Sequence, residues 1–174
     1  MMDHETVQIF IEALKEESIE MVVTLPEDPS YSLTAAIRID PYFTDITVAG
    51  EGHGIALCAG ASLGGRKCVF MTGIAGLLMG GFALAQMNTL YAIPLLITAS
   101  YRGDIGDRSG IPSGTLAMFN KLAEPFLQGL RIPYRIVDQK SRLKGMIRDA
   151  HFSCRQYSSP IVLLLTGEVL WSKG

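Results

Sequence analysis

Residues 46–71 read ITVAGEGHGIALCAGASLGGRKCVFM, and the fold turns on how that stretch is parsed. Ile46–Ala49 is a short β-branched run, Gly52–Gly64 a run of small helix-compatible residues, and Cys68–Met71 a second apolar run. Strand, helix and strand in so short a span predict a βαβ unit, whose strands lie parallel. The turn before the helix, AGEGHG at 49–54, is as glycine-rich as a phosphate-cradling loop. Yet it carries Glu51, where such a loop wants small residues and free backbone N–H groups.

The same alternation extends in both directions. Upstream, Val7, Phe10, Ile11 and Leu14 make a helical stripe behind Asp3–Glu5. Met21–Leu25 is a short strand closed by PEDPS, and Leu33, Ala36 and Ile37 mark a helix stopping at Asp40–Pro41. Downstream come a helix over 75–89, strand Leu95–Ala99, and the polar loop SYRGDIGDRSGIPSG at 100–114. A helix from Thr115 broken near Pro125, strand Tyr134–Val137, a helix over 141–156 and strand Ile161–Leu165 complete the order. Six short strands, apolar on both faces and separated by helices, predict an α/β three-layer sandwich: a six-stranded, mostly parallel sheet covered on both faces. Residues 1–174 read as a single domain.

Composition narrows the function. The chain is 48% hydrophobic and 18% charged, with mean hydropathy +0.28, but no run reaches the roughly 18–20 apolar residues of a membrane span. Net charge is −2 with no basic stripe, which argues against nucleic acid as a partner. MMDHETVQIF lacks a signal-peptide pattern, and Cys58, Cys68 and Cys154 match no metal or redox spacing. A cytoplasmic protein with buried thiols is expected. Its excess apolar surface points to self-association.

A dinucleotide fingerprint fails on inspection. Counting G-x-G-x-x-G from Gly50 puts Ile55 at the third glycine, and from Gly52 puts Leu57 there. GIAGLLMGG at 73–81 runs into Phe82 with no lysine. Ala56, Ala59, Gly60, Ala61 and Gly64, and likewise Gly76, Gly80, Gly81, Ala83 and Ala85, make two helices of small residues. Interior glycine costs about 1 kcal/mol in a helix. Close packing, at a subunit interface or onto the sheet, can offset that. Around Glu51 stand Val48, Ala49, Gly52, Gly54 and Ile55, which solvate a carboxylate poorly. A first-turn acid complementing the helix dipole is the plain alternative; a carboxyl sharing a proton with a ligand ring nitrogen is the functional one.

A glutamate directly after the second strand, the small-residue helix GIALCAGASLGGRK (54–67), strand CVFMT (68–72) and loop GIAG (73–76) resemble the pyrimidine-binding domain of thiamine diphosphate-dependent enzymes. The resemblance runs to SSPIVLLLTGEVL at 158–170 and includes IPLLITASYRGDIGD at 93–107. Within that family the chain is similar to the short α subunit of sulfopyruvate decarboxylase and the N-terminal half of phosphonopyruvate decarboxylase. The resemblance implies a decarboxylase of a small 2-oxo acid, with thiamine diphosphate and Mg²⁺ as cofactors. Glu51 would be the catalytic residue, hydrogen-bonding N1′ of the aminopyrimidine. Pro26, Gly73, Ala75 and Gly76 would line the cofactor, and His53, Thr72 and Arg102 would lie toward the substrate. The family's G-D-G…N segment, which holds the diphosphate and metal, is missing. A β subunit with the diphosphate-binding domain is therefore expected to hold most of the Mg²⁺ ligands, leaving no metal site on this chain.

Two departures leave the reaction open. Leu78 and Met79 stand near the family's Asn after the third strand, and DRSGIPSG (107–114) lacks its Gln–His pair. A carboligase half-subunit and a non-catalytic scaffold remain alternatives. Arg108 reads as a solvated loop charge, the 103–114 loop as mobile without ligand, and His4 and His151 as outward-facing helix residues.

Overall fold

In a computed structural model, the structure describes residues 1–103, 107 and 114–171. Six strands, β1 (Met21–Thr24), β2 (Thr44–Thr47), β3 (Cys68–Gly73), β4 (Leu95–Ser100), β5 (Tyr134–Val137) and β6 (Pro160–Leu165), form one sheet in the order β2-β1-β3-β4-β6-β5. Every pairing is parallel, so the expected "mostly parallel" sheet is wholly so. The α/β class stands, and the helices are α1 (His4–Glu16), α2 (Tyr31–Ile39), α3 (Glu51–Leu63), α4 (Ile74–Met79), α5 (Gly81–Ala85), α6 (Gly114–Gly129), α7 (Lys140–Tyr157) and α8 (Gly167–Leu170).

Alternation along the strands builds two cores. Val22, Val69, Leu96 and Ile161 point to one face, where Phe10, Leu14, Leu33, Ile37, Leu143 and Ile147 cover them. Their neighbours Val23, Phe70, Ile97 and Val162 point to the other, under Ile55, Leu77, Leu84 and Leu127. Helices α1, α2, α7 and α8 thus form one layer and α3 to α6 the other. Full burial of β1, β3, β4 and β6 explains their apolar runs, whereas edge strand β2 is only partly covered and reads TDIT.

Several boundaries depart from the sequence reading. The helix expected over 75–89 is three pieces: α4, α5 and a π-helical turn Gln86–Leu90. The break falls at Gly80, where a Cβ would press to 2.6 Å from Ile55 Cδ1 of α3, so the helices meet by giving up side chain. Pro125 does not break α6, which runs through it. Helix α8 and the 3₁₀ turn Asp28–Ser30 follow strands where the sequence reads as loop.

The small-residue helices divide in two. Gly54 packs on the ring of Phe70 and Gly80 on Ile55, so part of the glycine content serves contacts inside the chain. Gly52 and Gly60 face open space, and Leu63, Met79 and Phe82 are exposed in the same helical layer, the last two at 80% and 79%. All three cysteines are free and buried. His151 is also buried, at 5% exposure, with Nδ1 2.8 Å from Glu17 Oε2, so the outward-facing reading was wrong. Residue Leu143 puts α7's apolar stripe on the sheet, and His151 falls on it two turns later beside Cys154. No helix among the described residues is long and apolar enough to cross a membrane.

Candidate functional site

The chain leaves β1 for the sheet edge at β2, then crosses back to β3. That reversal opens a crevice beyond the carboxyl ends of β1 and β3, the place where open α/β sheets bind ligands. A cavity of about 270 Å³ lies there, lined by Leu25 and Glu27 after β1, Glu51 at the start of α3, and Thr72–Gly76 across the β3–α4 turn. Ser100 and Arg102 after β4, with Leu116 and Phe119 of α6, close it.

Of the residues singled out in the sequence, Glu51, Thr72, Gly73, Ala75, Gly76 and Arg102 converge on this cavity. Pro26 does not line it; the side chain is exposed while its neighbours Leu25 and Glu27 face in. His53 is exposed on α3 and is not among the residues that line the cavity. Arg108 and most of the 103–114 loop lie outside the described residues. Among the described residues, no three His, Cys, Asp or Glu side chains converge as a metal site.

Glu51 opens α3 and is half-buried. Its carboxylate makes no hydrogen bond with any described residue and faces the cavity, where a helix-capping acid would be spent on backbone N–H groups. Across from it, a Cβ at Gly76 would come within 2.7 Å of Glu51 Oε1 and 2.5 Å of Thr72 Oγ1. Gly76 is therefore glycine because the glutamate occupies that space.

Glu27 was missed by the sequence reading. It sits two residues beyond Leu25 in PEDPS, a segment that reads as a turn, and no local pattern separates it from Asp28. In three dimensions it accepts a 2.5 Å hydrogen bond from the Ser100 hydroxyl. A Cβ on Gly73 would stand 2.5 Å from its Oε2. Enclosure by β3 and β4 pushes the acid up to about 7; the Ser100 bond and the Arg102 charge pull the other way without prevailing. The two glycines of the β3–α4 turn thus each make room for one carboxylate.

Arg102 supplies the positive charge. Its Nε is buried with no hydrogen-bond partner among the described residues, and its guanidinium lies 5.9 Å from the centre of the Trp171 ring. A clamp holds this segment: Asp107 accepts from Gly103 N at 2.7 Å and from Trp171 Nε1 at 3.1 Å. Gly103 has φ +82°, and a side chain there would run into the backbone of Leu116. An arginine with an unspent donor, beside a cavity, suits an anion.

No family model matches the chain. It is 27% identical over 155 residues to the sulfopyruvate decarboxylase subunit alpha of Methanococcus maripaludis, covering 88% of this chain and 89% of that one. It is also 27% identical over 161 residues to a sulfopyruvate decarboxylase of Methanosarcina acetivorans, 91% of this chain but 39% of that longer protein. The fold superposes on a benzoylformate decarboxylase from Polynucleobacter necessarius with TM-score 0.74 at 18% identity, spanning 97% of this chain and 31% of that one. In fold, the chain matches one part of that larger solved protein, as it does of a thiamin diphosphate-dependent enzyme from Mycobacterium smegmatis at TM-score 0.72 and 16% identity, over 97% of this chain and 31% of that one. Over nearly its whole length, the chain is similar to proteins named sulfopyruvate decarboxylase subunit alpha.

Proposed function

We propose that this chain is the α, pyrimidine-binding subunit of a two-chain thiamine diphosphate-dependent 2-oxo acid decarboxylase. The observation that carries the reading is the half-buried carboxylate of Glu51, without a partner among the described residues, facing a crevice across from Gly76. The residues fit the cofactor's aminopyrimidine. Gly73 and Gly76 admit the two carboxylates to the cavity wall, Leu25, Ile74 and Phe119 supply apolar walls, and Glu51 offers an acceptor for a ring N–H. Bound thiamine diphosphate supplies a thiazolium ring that stabilises the electron pair left when CO₂ departs. Glu51 would hold a proton at the pyrimidine nitrogen, and Arg102 would take the anionic end of the substrate. Sulfopyruvate is the first substrate to test, because the curated relatives carry that name.

The cavity, of about 270 Å³, is small for a whole cofactor with its diphosphate and metal. A β subunit holding the diphosphate-binding domain and Mg²⁺ would complete it. The exposed Leu63, Met79 and Phe82, on the helical layer that walls the cavity, offer the surface for that contact or for self-association.

Glu51→Gln in the chain assembled with its β subunit tests the reading. The variant keeps size and polarity but loses the exchangeable carboxyl proton. Assembly and cofactor binding should persist, turnover should fall by about 10² to 10⁴, and exchange of the thiazolium C2 proton, followed by NMR, should slow in parallel. Unchanged exchange in a folded, cofactor-loaded variant would return Glu51 to the role of a helix-dipole acid, worth about 0.3–1 kcal/mol.

A further inference from the structure

Removing CO₂ from a 2-oxo acid and releasing an aldehyde has a proton balance: R–CO–COO⁻ + H⁺ gives R–CHO + CO₂. One C–C bond breaks, its electron pair stays on the former carbonyl carbon, and a C–H bond forms there. Each turnover therefore consumes one proton, which a positioned acid delivers to that carbon. Glu51 is committed to the cofactor's pyrimidine under the reading above, so a second proton source is needed.

We propose that Glu27 is that source: a catalytic acid on the turn after β1, held by Ser100 and backed by Arg102, that delivers the proton to the substrate carbon and regains one from water. The inference rests on the decarboxylase reading, but its geometry does not. Glu27 lines the same cavity as Glu51. Its carboxyl is fixed by the 2.5 Å bond from Ser100, and Gly73 is reduced to hydrogen to admit it. Had the carboxylate been needed only as a counter-ion for Arg102, a direct ion pair would be expected. None is found between them, and Arg102 Nε stays unpartnered among the described residues.

Burial, against the pull of the nearby charges, favours retention of the proton. Asp28, on the same turn, repels the ionised form, and Arg102, from the segment after β4, attracts it. Glu51, from α3, lies across the cavity, while Thr72 and Gly73 of β3, Ser100 of β4, and Leu116 and Phe119 of α6 add no charge. Burial outweighs the rest, leaving the group near 7, where an acid can both give and regain a proton at neutral pH. Substrate binding strengthens this bias. An anion on Arg102 cancels the one charge that favours ionised Glu27.

Two measurements test the proposal. In the full chain alone, with ¹³C-labelled glutamate carboxyls, the resonance lost in Glu27→Gln should titrate near 7. Ser100→Ala and Arg102→Met should each move that midpoint upward, since each removes a group favouring the carboxylate. In the assembled, cofactor-loaded complex, Glu27→Gln should lower kcat by about 10² or more while leaving thiazolium C2 exchange unchanged, the opposite of Glu51→Gln. The alkaline limb of kcat should follow the Glu27 midpoint upward in Ser100→Ala, which serves equally if Glu27→Gln does not assemble.

A midpoint within a unit of the ordinary 4.5 overturns the proposal. So does a Glu27→Gln kcat within two-fold of the parent, or an alkaline limb that ignores Ser100→Ala. A complex that never binds thiamine diphosphate would sink the decarboxylase reading instead, a separate outcome, because the titration is read on the chain alone.

Discussion

Glu27 and Glu51 stand at one cavity, on turns after neighbouring strands, and differ in what encloses them. Glu51 begins a helix and faces the cavity without a partner among the described residues; Glu27 is packed against the paired ends of β3 and β4, at Gly73 and the Ser100 hydroxyl. The difference carries a stability consequence. A carboxyl whose folded-state pKa lies above its unfolded value of 4.5 favours the fold fully below that value, and the contribution is lost as pH rises toward about 7. Relative to Glu27→Gln, the parent chain should thus lose about 1–2 kcal/mol between pH 5 and pH 8, after allowing for partial exposure. In a chain of this size that is about 2–4 °C of Tm per kcal/mol. Thermal unfolding of both proteins across that range checks it, and parallel Tm curves would contradict it.

At the scale of elements, the segment after β4 depends on the chain's last helix. Trp171, just past α8, bonds Asp107, and Asp107 holds Gly103 N, so the backbone beside Arg102 is tied to the end of the chain. Trp171→Phe keeps a ring near Arg102 but removes the Nε1 donor. It should raise KM for an anionic 2-oxo acid by about 3- to 10-fold, the equivalent of a lost hydrogen bond, with kcat and cofactor affinity little changed. A fall in kcat with unchanged KM would place Trp171 in some other role. The glycines of the β3–α4 turn belong at this scale too: each is explained by a carboxylate from a different element, which is why no spacing rule within the turn accounts for them.

Across the whole molecule, the layer of α3 to α6 carries large apolar side chains on its outside. Helix α3, α4 and α5 pack internally through Gly54 and Gly80, yet Leu63, Met79 and Phe82 face outward. Phe82→Asp combined with Met79→Asp should leave the isolated chain folded, because both side chains are already exposed. The same pair should abolish self-association or assembly with the proposed β subunit, read as mass by light scattering. An unchanged assembled mass would move the interface off this layer.

What the sequence determined by itself is the part encoded in local pattern. Apolar runs too short for helices, alternating with amphipathic stripes, specify a parallel sheet with two helical layers, and a glutamate in a small-residue turn after the second strand marks Glu51. Local expectation and structure part where packing outranks propensity: α4 ends at Gly80, where Ile55 leaves no room for a side chain, and His151 lies on the buried stripe of α7 against Glu17, the residue that caps α1. Only the tertiary structure decided that PEDPS brings a second carboxyl to the cavity. Glu27 gains its character from Ser100, 73 residues away in the chain, and from enclosure by strands that close only in the folded sheet. Desolvation depends on what surrounds a group in space, and a turn's own residues carry no record of it.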